Sequence, residues 1–225
     1  MTTFIIGDVH GCFNELKELF KVIDFSPEKD TAIFVGDLIG RGPQPEEVLD
    51  FVIGLGKTAI HVLGNYDIRL LGVLYGFIQN KPSDNFTPVL ESPNKPIYME
   101  WLSQSKLLYC SHELKLIVTH AGIPPHWTEA MALNYSDYFE TYKTCKGLTK
   151  TLKILLEAPC LAWTTNMSTE DILRYAVFGF TKMKYCYQNG DFDSIYQCAP
   201  GLQPSKLIPW FTLRNQKHKD HNTLI

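Results

Sequence analysis

The 225-residue sequence is short of several things, and each shortage excludes something. Long apolar runs are lacking: the clearest, Phe4 to Ile6 and Ala32 to Val35, are far too short to span a bilayer, and no charged region precedes a hydrophobic one at the amino terminus. The cysteines Cys12, Cys110, Cys145, Cys160, Cys186 and Cys198 form no CxxC pair, which argues against a zinc or disulfide framework and suits reduced thiols. No charge sign dominates, since 21 Lys and Arg stand against 24 Asp and Glu, for a net charge of −3. That balance offers no broad attraction to nucleic acid or anionic membrane, so a phosphate-bearing ligand has to be held locally. Repeats and low-complexity segments are also lacking. The expectation is a cytoplasmic protein with neither nucleic-acid nor membrane partner; the sequence does not reveal its oligomeric state.

What is present is 45% apolar and 12% aromatic residues, enough to bury a substantial core. The first 70 residues alternate short Ile- and Val-rich runs with helical periodicity, the pattern of βαβ units. Strands are expected at Thr3 to Ile6, Ala32 to Val35, Ala59 to Leu63 and Leu114 to Thr119. A helix capped by Asn14 places Leu16, Leu19, Phe20 and Ile23 on one face, and a second, entered at Pro45, does the same with Val48, Phe51, Val52 and Leu55. A third is expected from about Asp67 to Phe77. Helical stretches follow within Trp127 to Lys153, then strand and turn over Tyr175 to Phe192. From residue 212 the composition turns polar and basic, so 212–225 reads as a tail or linker after a single domain spanning 1–225.

Each of the four strands runs into a polar cluster. These are Gly7-Asp8-Val9-His10-Gly11, Gly36-Asp37-Leu38-Ile39-Gly40-Arg41-Gly42, Gly64-Asn65-Tyr66-Asp67 and His120-Ala121-Gly122. One Gly-Asp after a strand is ordinarily a turn; four clusters in order are not. Ligands of open α/β sheets bind at the carboxyl ends of strands, so the clusters are expected to converge. Asp8, His10, Asp37, Asn65 and His120 supply the carboxylate, imidazole and amide donors that suit a pair of divalent cations such as Mn²⁺, Fe²⁺, Co²⁺ or Zn²⁺. Asp37 is the natural bridging ligand because a carboxylate has two oxygens. Arg41 can meet a phosphate with its fork.

With these motifs the chain resembles the metallophosphoesterases that include the protein serine/threonine phosphatases, whose pattern is GDxHG, GDxxxRG, GNHD or GNHE, and HAG. Asn80 to Asp84, Thr87 to Pro93, Phe180 to Cys186 and Pro209 to Phe211 are similar, more narrowly, to bacterial symmetrical diadenosine tetraphosphate hydrolases. The resemblance implies an α/β metallophosphoesterase-type β-sandwich of mixed sheets flanked by helices. It implies symmetric cleavage of diadenosine tetraphosphate to two ADP by a hydroxide shared between two metal ions, with Mn²⁺ or Co²⁺ expected. By the same analogy Asp8 and His10 sit on the first ion, Asp37 bridges, and Asn65 and His120 sit on the second. Arg41, Lys182 and Lys184 bind the polyphosphate, and Asp67, Arg41 and Tyr66 form the catalytic set.

The sequence also departs from that pattern. Tyr66 stands where the motif carries a histidine that, oriented by the following Asp, protonates the leaving group; a phenol is a far weaker acid than imidazolium near neutral pH. The Gly-His motif of a further carboxyl-terminal segment is absent and its strands are expected to be missing, with only His218 and His221 near the end. Lys182 and Lys184 replace arginines. His61, His112 and His126 read as uninformative. These departures predict weakened or lost turnover and keep open a second reading, a nucleotide- or metal-binding paralogue without activity. A serine/threonine phosphatase, whose alkoxide leaving group needs the proton more, is the third.

Overall fold

A computed structural model describes residues 2–217. The chain forms two compact units, Met1–Lys106 and Leu107–Ile225. The first is a βαβαβα succession: β1 (Thr3–Ile6), α1 (Phe13–Val22), β2 (Thr31–Phe34), α2 (Pro45–Gly54), β3 (Ala59–His61) and α3 (Asn65–Leu74). The strands lie in the order β1-β2-β3, all parallel, with Phe4 opposite Ala32 and Phe34 opposite His61. Parallel strands must all leave the sheet at the same edge, so the three segments that follow β1, β2 and β3 are delivered to one place. The unit closes with α4 (Thr87–Glu91) and α5 (Lys95–Gln104).

The β2 strand is central, and Ala32, Ile33 and Phe34 are fully buried. Phe20 of α1 sits between elements, 5.0 Å from the Phe51 ring of α2 and stacked at 6.4 Å on Phe34. Val48 and Val52 bury the inner face of α2, whose first residue, Pro45, gives up no hydrogen bond there. Two expectations fail in detail. The residue before α1 is Cys12, not Asn14, and no side chain caps the helix. Leu19 is 39% exposed, because Leu16 and Phe20 already fill the contact with the sheet.

The second unit begins with a hairpin, β4 (Leu108–Ser111) against β5 (Leu116–Thr119). Helices α6 (Glu129–Lys146), α7 (Leu148–Leu155) and α8 (Thr169–Thr181) follow. Thr128 caps α6 by accepting the Met131 N–H, and Ser168 caps α8 by accepting that of Asp171. The core is aromatic: fully buried Trp127 stacks on Tyr135 at 4.5 Å and meets Trp163 and Phe180 edge-on. The pieces β6 (Tyr185–Cys186), β7 (Phe192–Asp193) and β8 (Ile208–Pro209) form a small sheet in the order β7-β6-β8, before α9 (Trp210–Lys217).

Two readings of this half need correction. Tyr175 to Thr181 is the last part of α8, not strand; its residues are buried almost without interruption, which hides the helical period that burial on one face would have shown. Residues 212–217 belong to α9, with Leu213 and Arg214 buried, where composition alone suggested a tail. His218 and His221 lie outside the described residues. No helix among the described residues is long and apolar enough to cross a membrane. Shortening Phe34 to Ala should cost about 3–5 kcal/mol, as large core truncations do; urea unfolding of the Phe34→Ala chain measures it.

Candidate active site

Three turns after parallel strands build the site in the first unit. After β1 the chain reverses through His10 and Gly11, both at positive φ (48° and 70°). The N–H groups of Val9 and His10 donate to the Asp37 carbonyl, and that of Gly11 donates to Leu38. The turn after β2 is thus stitched to the turn after β1. Asp37 and Arg41 also have positive φ, 51° and 64°. Such conformations cost a non-glycine residue of order 1–3 kcal/mol and persist only where the surroundings over-determine them. Here the gain is the direction in which the side chains leave the backbone.

The His10 ring is set by a hydrogen bond from Nδ1 to the Ile39 carbonyl at 3.2 Å, a bond that requires the proton on Nδ1. Its Nε2 then presents a lone pair, 3.5 Å from Asp8 Oδ2 and 3.7 Å from Asp37 Oδ2. Ligand atoms of Asp8, His10 and Asp37 all lie within 4.8 Å of one another, the only such grouping of His, Cys, Asp and Glu among the described residues. The Asp8 carboxylate raises the His10 pKa above its ordinary value against the opposing effect of burial, with the Ile39 carbonyl and Asp37 adding to it. A place that favours positive charge on imidazole favours a cation. Two carboxylates, a tautomer-fixed imidazole and a buried wall fit one divalent ion.

Asp37 is itself held. It is 2% exposed, and its Oδ1 accepts the Tyr66 N–H at 2.8 Å from the first turn of α3, so the positive end of that helix stabilises the carboxylate. Oδ2 is the oxygen turned toward His10. Gly64 leaves room for this: a Cβ there would lie 2.2 Å from Asp37 Oδ1 and 2.5 Å from Asp37 N.

The catalytic expectation for Asp67 meets a different geometry. Asp67 is fully buried, and its Oδ2 accepts the Asp37 N–H and the Gly64 N–H, both at 2.8 Å, and faces His61 Nε2 at 3.2 Å. Burial by itself would raise the Asp67 pKa; the His61 ring and the two N–H groups outweigh it and keep the carboxyl below its ordinary value. His61 is fixed in turn by Ser105 Oγ at 2.8 Å and by Trp101, stacked 5.0 Å away. From the sequence His61 is an uninformative strand residue. The usable signal was a histidine ending an otherwise apolar strand, six residues before a motif aspartate.

Tyr66 places its ring against Gly40, edge-on to His10 at 5.0 Å, and its hydroxyl accepts the Arg41 Nε–H at 3.1 Å. Asn65, the first residue of α3, lies between Gly64 and Tyr66. The loop after α3 covers the Arg41 turn: the Arg41 N–H donates to the Asp84 carbonyl, and Asn85 Nδ2 donates to the Gly42 carbonyl. An Arg69–Asp84 ion pair at 2.6 Å anchors that loop.

The remaining expected residues lie in the second unit. His120 directly follows β5, and the Ala121 N–H donates to the Phe180 carbonyl at 2.7 Å, which brings the end of β5 to the end of α8. Lys182 and Lys184 follow there, both exposed, alternating with buried Met183 and Tyr185. Trp210 closes the group, its N–H donating to the Lys184 carbonyl and its ring against Gly122.

Residues 1–163 match the family model described as calcineurin-like phosphoesterase. A relative from Serratia proteamaculans is 37% identical over 224 residues, covering 100% of this chain and 79% of its own length. One from Salmonella arizonae is 38% identical over 213 residues, covering 95% and 76%. Both carry the name symmetrical bis(5'-nucleosyl)-tetraphosphatase. Among solved structures, a cold-active protein-tyrosine phosphatase from a psychrophilic Shewanella covers 95% of this chain and 64% of its own. Its TM-score of 0.54 at 16% identity speaks to the fold alone.

Adding a methyl group at residue 64 tests the site without touching a ligand. The Gly64→Ala chain should fold yet bind Mn²⁺ about 10-fold more weakly or worse, because Asp37 has to move; calorimetric titration with Mn²⁺ checks it.

Proposed function

The chain belongs to the calcineurin-like phosphoesterases, and within them to the symmetrical bis(5'-nucleosyl)-tetraphosphatases, and from that premise we propose that it hydrolyses diadenosine tetraphosphate symmetrically to two ADP. The observation that carries the proposal is the convergence of Asp8, His10 Nε2 and Asp37 within 4.8 Å. That is a cation site beside an arginine, which is what a polyphosphate-cleaving centre needs.

The family uses divalent metal ions, and we take Mn²⁺ or Co²⁺ as the ions here. Bound divalent cations would supply hydroxide at neutral pH and neutralise charge on the phosphoryl oxygens. Asp8, His10 and Asp37 hold the first ion on this reading; Asn65 and His120 are assigned to the second on the family resemblance alone. Arg41 binds the phosphoryl oxygens with its fork. Asp67 is a positioning residue, because its carboxylate fixes the backbone of Asp37 and Gly64. Lys182 and Lys184 are read as further polyphosphate contacts that keep the charge of an arginine without its bidentate geometry.

Water adds across the central P–O–P anhydride: its oxygen bonds to one inner phosphorus, the bridging oxygen leaves with the second ADP, and the water's protons pass to solvent. The leaving group is a nucleotide phosphate whose last pKa is roughly 6, so it departs as an anion and needs no proton. A tyrosine at the position of the family's acid is therefore compatible with turnover here, and far less so with release of an alkoxide from a phosphoprotein.

The test is ADP release from diadenosine tetraphosphate with Mn²⁺. Asp37→Ala should lower the rate by about 10³-fold or more, the factor that corresponds to loss of roughly 4 kcal/mol of transition-state stabilisation. Tyr66 also favours a second reading, a paralogue that binds without turnover. Dinucleotide binding with no ADP formed by the parent or by Tyr66→His would establish that reading in place of the first.

A further inference from the structure

We propose that Tyr66 is a positioning residue for Arg41, holding its guanidinium as a preformed fork for the polyphosphate. This rests on the reading of the site as a polyphosphate hydrolase, and it replaces proton donation as the role of Tyr66.

The phenol sits in a fixed cradle. Its ring lies so close to Gly40 that a Cβ at that position would stand 2.4 Å from Tyr66 Cδ1. Phe86 flanks it at 6.3 Å and His10 at 5.0 Å, both edge-on. At the backbone, the Tyr66 N–H is tied to Asp37 Oδ1. A ring held on several sides has one direction for its hydroxyl, and that direction meets Arg41.

Arg41 needs such support. It is exposed and sits in a left-handed turn, and a long side chain there would otherwise sample many rotamers. Tyr66 constrains it twice: the hydroxyl accepts Nε–H at 3.1 Å, and the guanidinium carbon lies 4.9 Å from the ring centroid. The bond uses only Nε. Both Nη groups make no hydrogen bond to the described residues and keep the paired N–H geometry that phosphate oxygens match. Ground state and transition state both carry phosphate oxygens, so an arginine organised before binding lowers KM more than it raises kcat.

The experiment uses the full chain with Mn²⁺ and a double-mutant cycle of Tyr66→Phe and Arg41→Gln. The phenylalanine keeps the ring and removes only the acceptor. Affinity is measured by calorimetry for a methylene-bridged diadenosine tetraphosphate analogue and for inorganic tripolyphosphate; KM and kcat are measured on diadenosine tetraphosphate. Tyr66→Phe should weaken binding of both probes and raise KM by about 5-fold, with kcat within about 2-fold. In the Arg41→Gln background the same change should have no effect. A fall in kcat at unchanged KM would make Tyr66 the proton donor and overturn the proposal. Equal losses in both backgrounds, or none in either, would also overturn it. If tripolyphosphate shows the coupling and the dinucleotide does not bind, the substrate reading fails while the role of Tyr66 stands; if neither probe binds, both fall.

Discussion

The first unit is organised around one buried oxygen, Asp67 Oδ2. It accepts the N–H of Asp37, in the turn after β2, and the N–H of Gly64, in the turn after β3, and it faces His61 on β3 itself. A carboxylate with no exposed surface is tolerable only when its charge is met, and here two backbone dipoles and an imidazole meet it. Remove it, and the two turns lose their common acceptor while His61 keeps a buried polar atom without its partner. The placement of Asp37 depends on this junction, and the approach of Asp37 to His10 depends on that placement. The positive φ of His10, Asp37 and Arg41 can be borne because these turns are bonded to one another, as the Val9, His10 and Gly11 N–H groups show.

Much of this was legible beforehand. The strand-then-cluster rhythm placed β1, β2 and β3, and the Gly-Asp turns after β1 and β2 pointed to the grouping of Asp8, His10 and Asp37, because parallel strands must deliver their following turns to one edge. What could not be read was the partner of each side chain. Motif logic pairs Asp67 with its neighbour Tyr66, whereas the fold pairs it with His61, six residues back on a strand, and with the backbone of a turn thirty residues away. The spacing offers a hint of His61 alone; nothing in it marks the N–H groups of Asp37 and Gly64 as partners of Asp67. The fault at Tyr175 to Thr181 has another cause: α8 is buried on nearly all sides there, so its polar face, the feature that reveals a helix, is missing. For α9, the polar composition after Trp210 concealed Leu213 and Arg214, which are buried all the same.

The family membership is that of a hydrolase, and the grouping of Asp8, His10 and Asp37 is compatible with the proposed cleavage of a phosphoric anhydride. The substituted motif is informative because it separates two demands that a histidine would satisfy together. An anhydride leaving group dispenses with the proton but not with a grip on the phosphate oxygens, and Tyr66 lies against the arginine that would provide it. Loss of the acid is therefore most damaging for alkoxide leaving groups and least damaging for nucleotide ones, which fits a polyphosphate better than a phosphoprotein.

On the proposed reading the turns after β1 and β2 hold a divalent cation between Asp8, His10 and Asp37. A crystal of the full chain grown with Mn²⁺, with an anomalous difference map collected near the manganese edge, tests it most directly. The expected result is a peak within bonding distance of His10 Nε2, of Asp37 Oδ2 and of an Asp8 carboxylate oxygen. A fully soaked crystal with no peak there, or with Mn²⁺ bound only elsewhere, would contradict it.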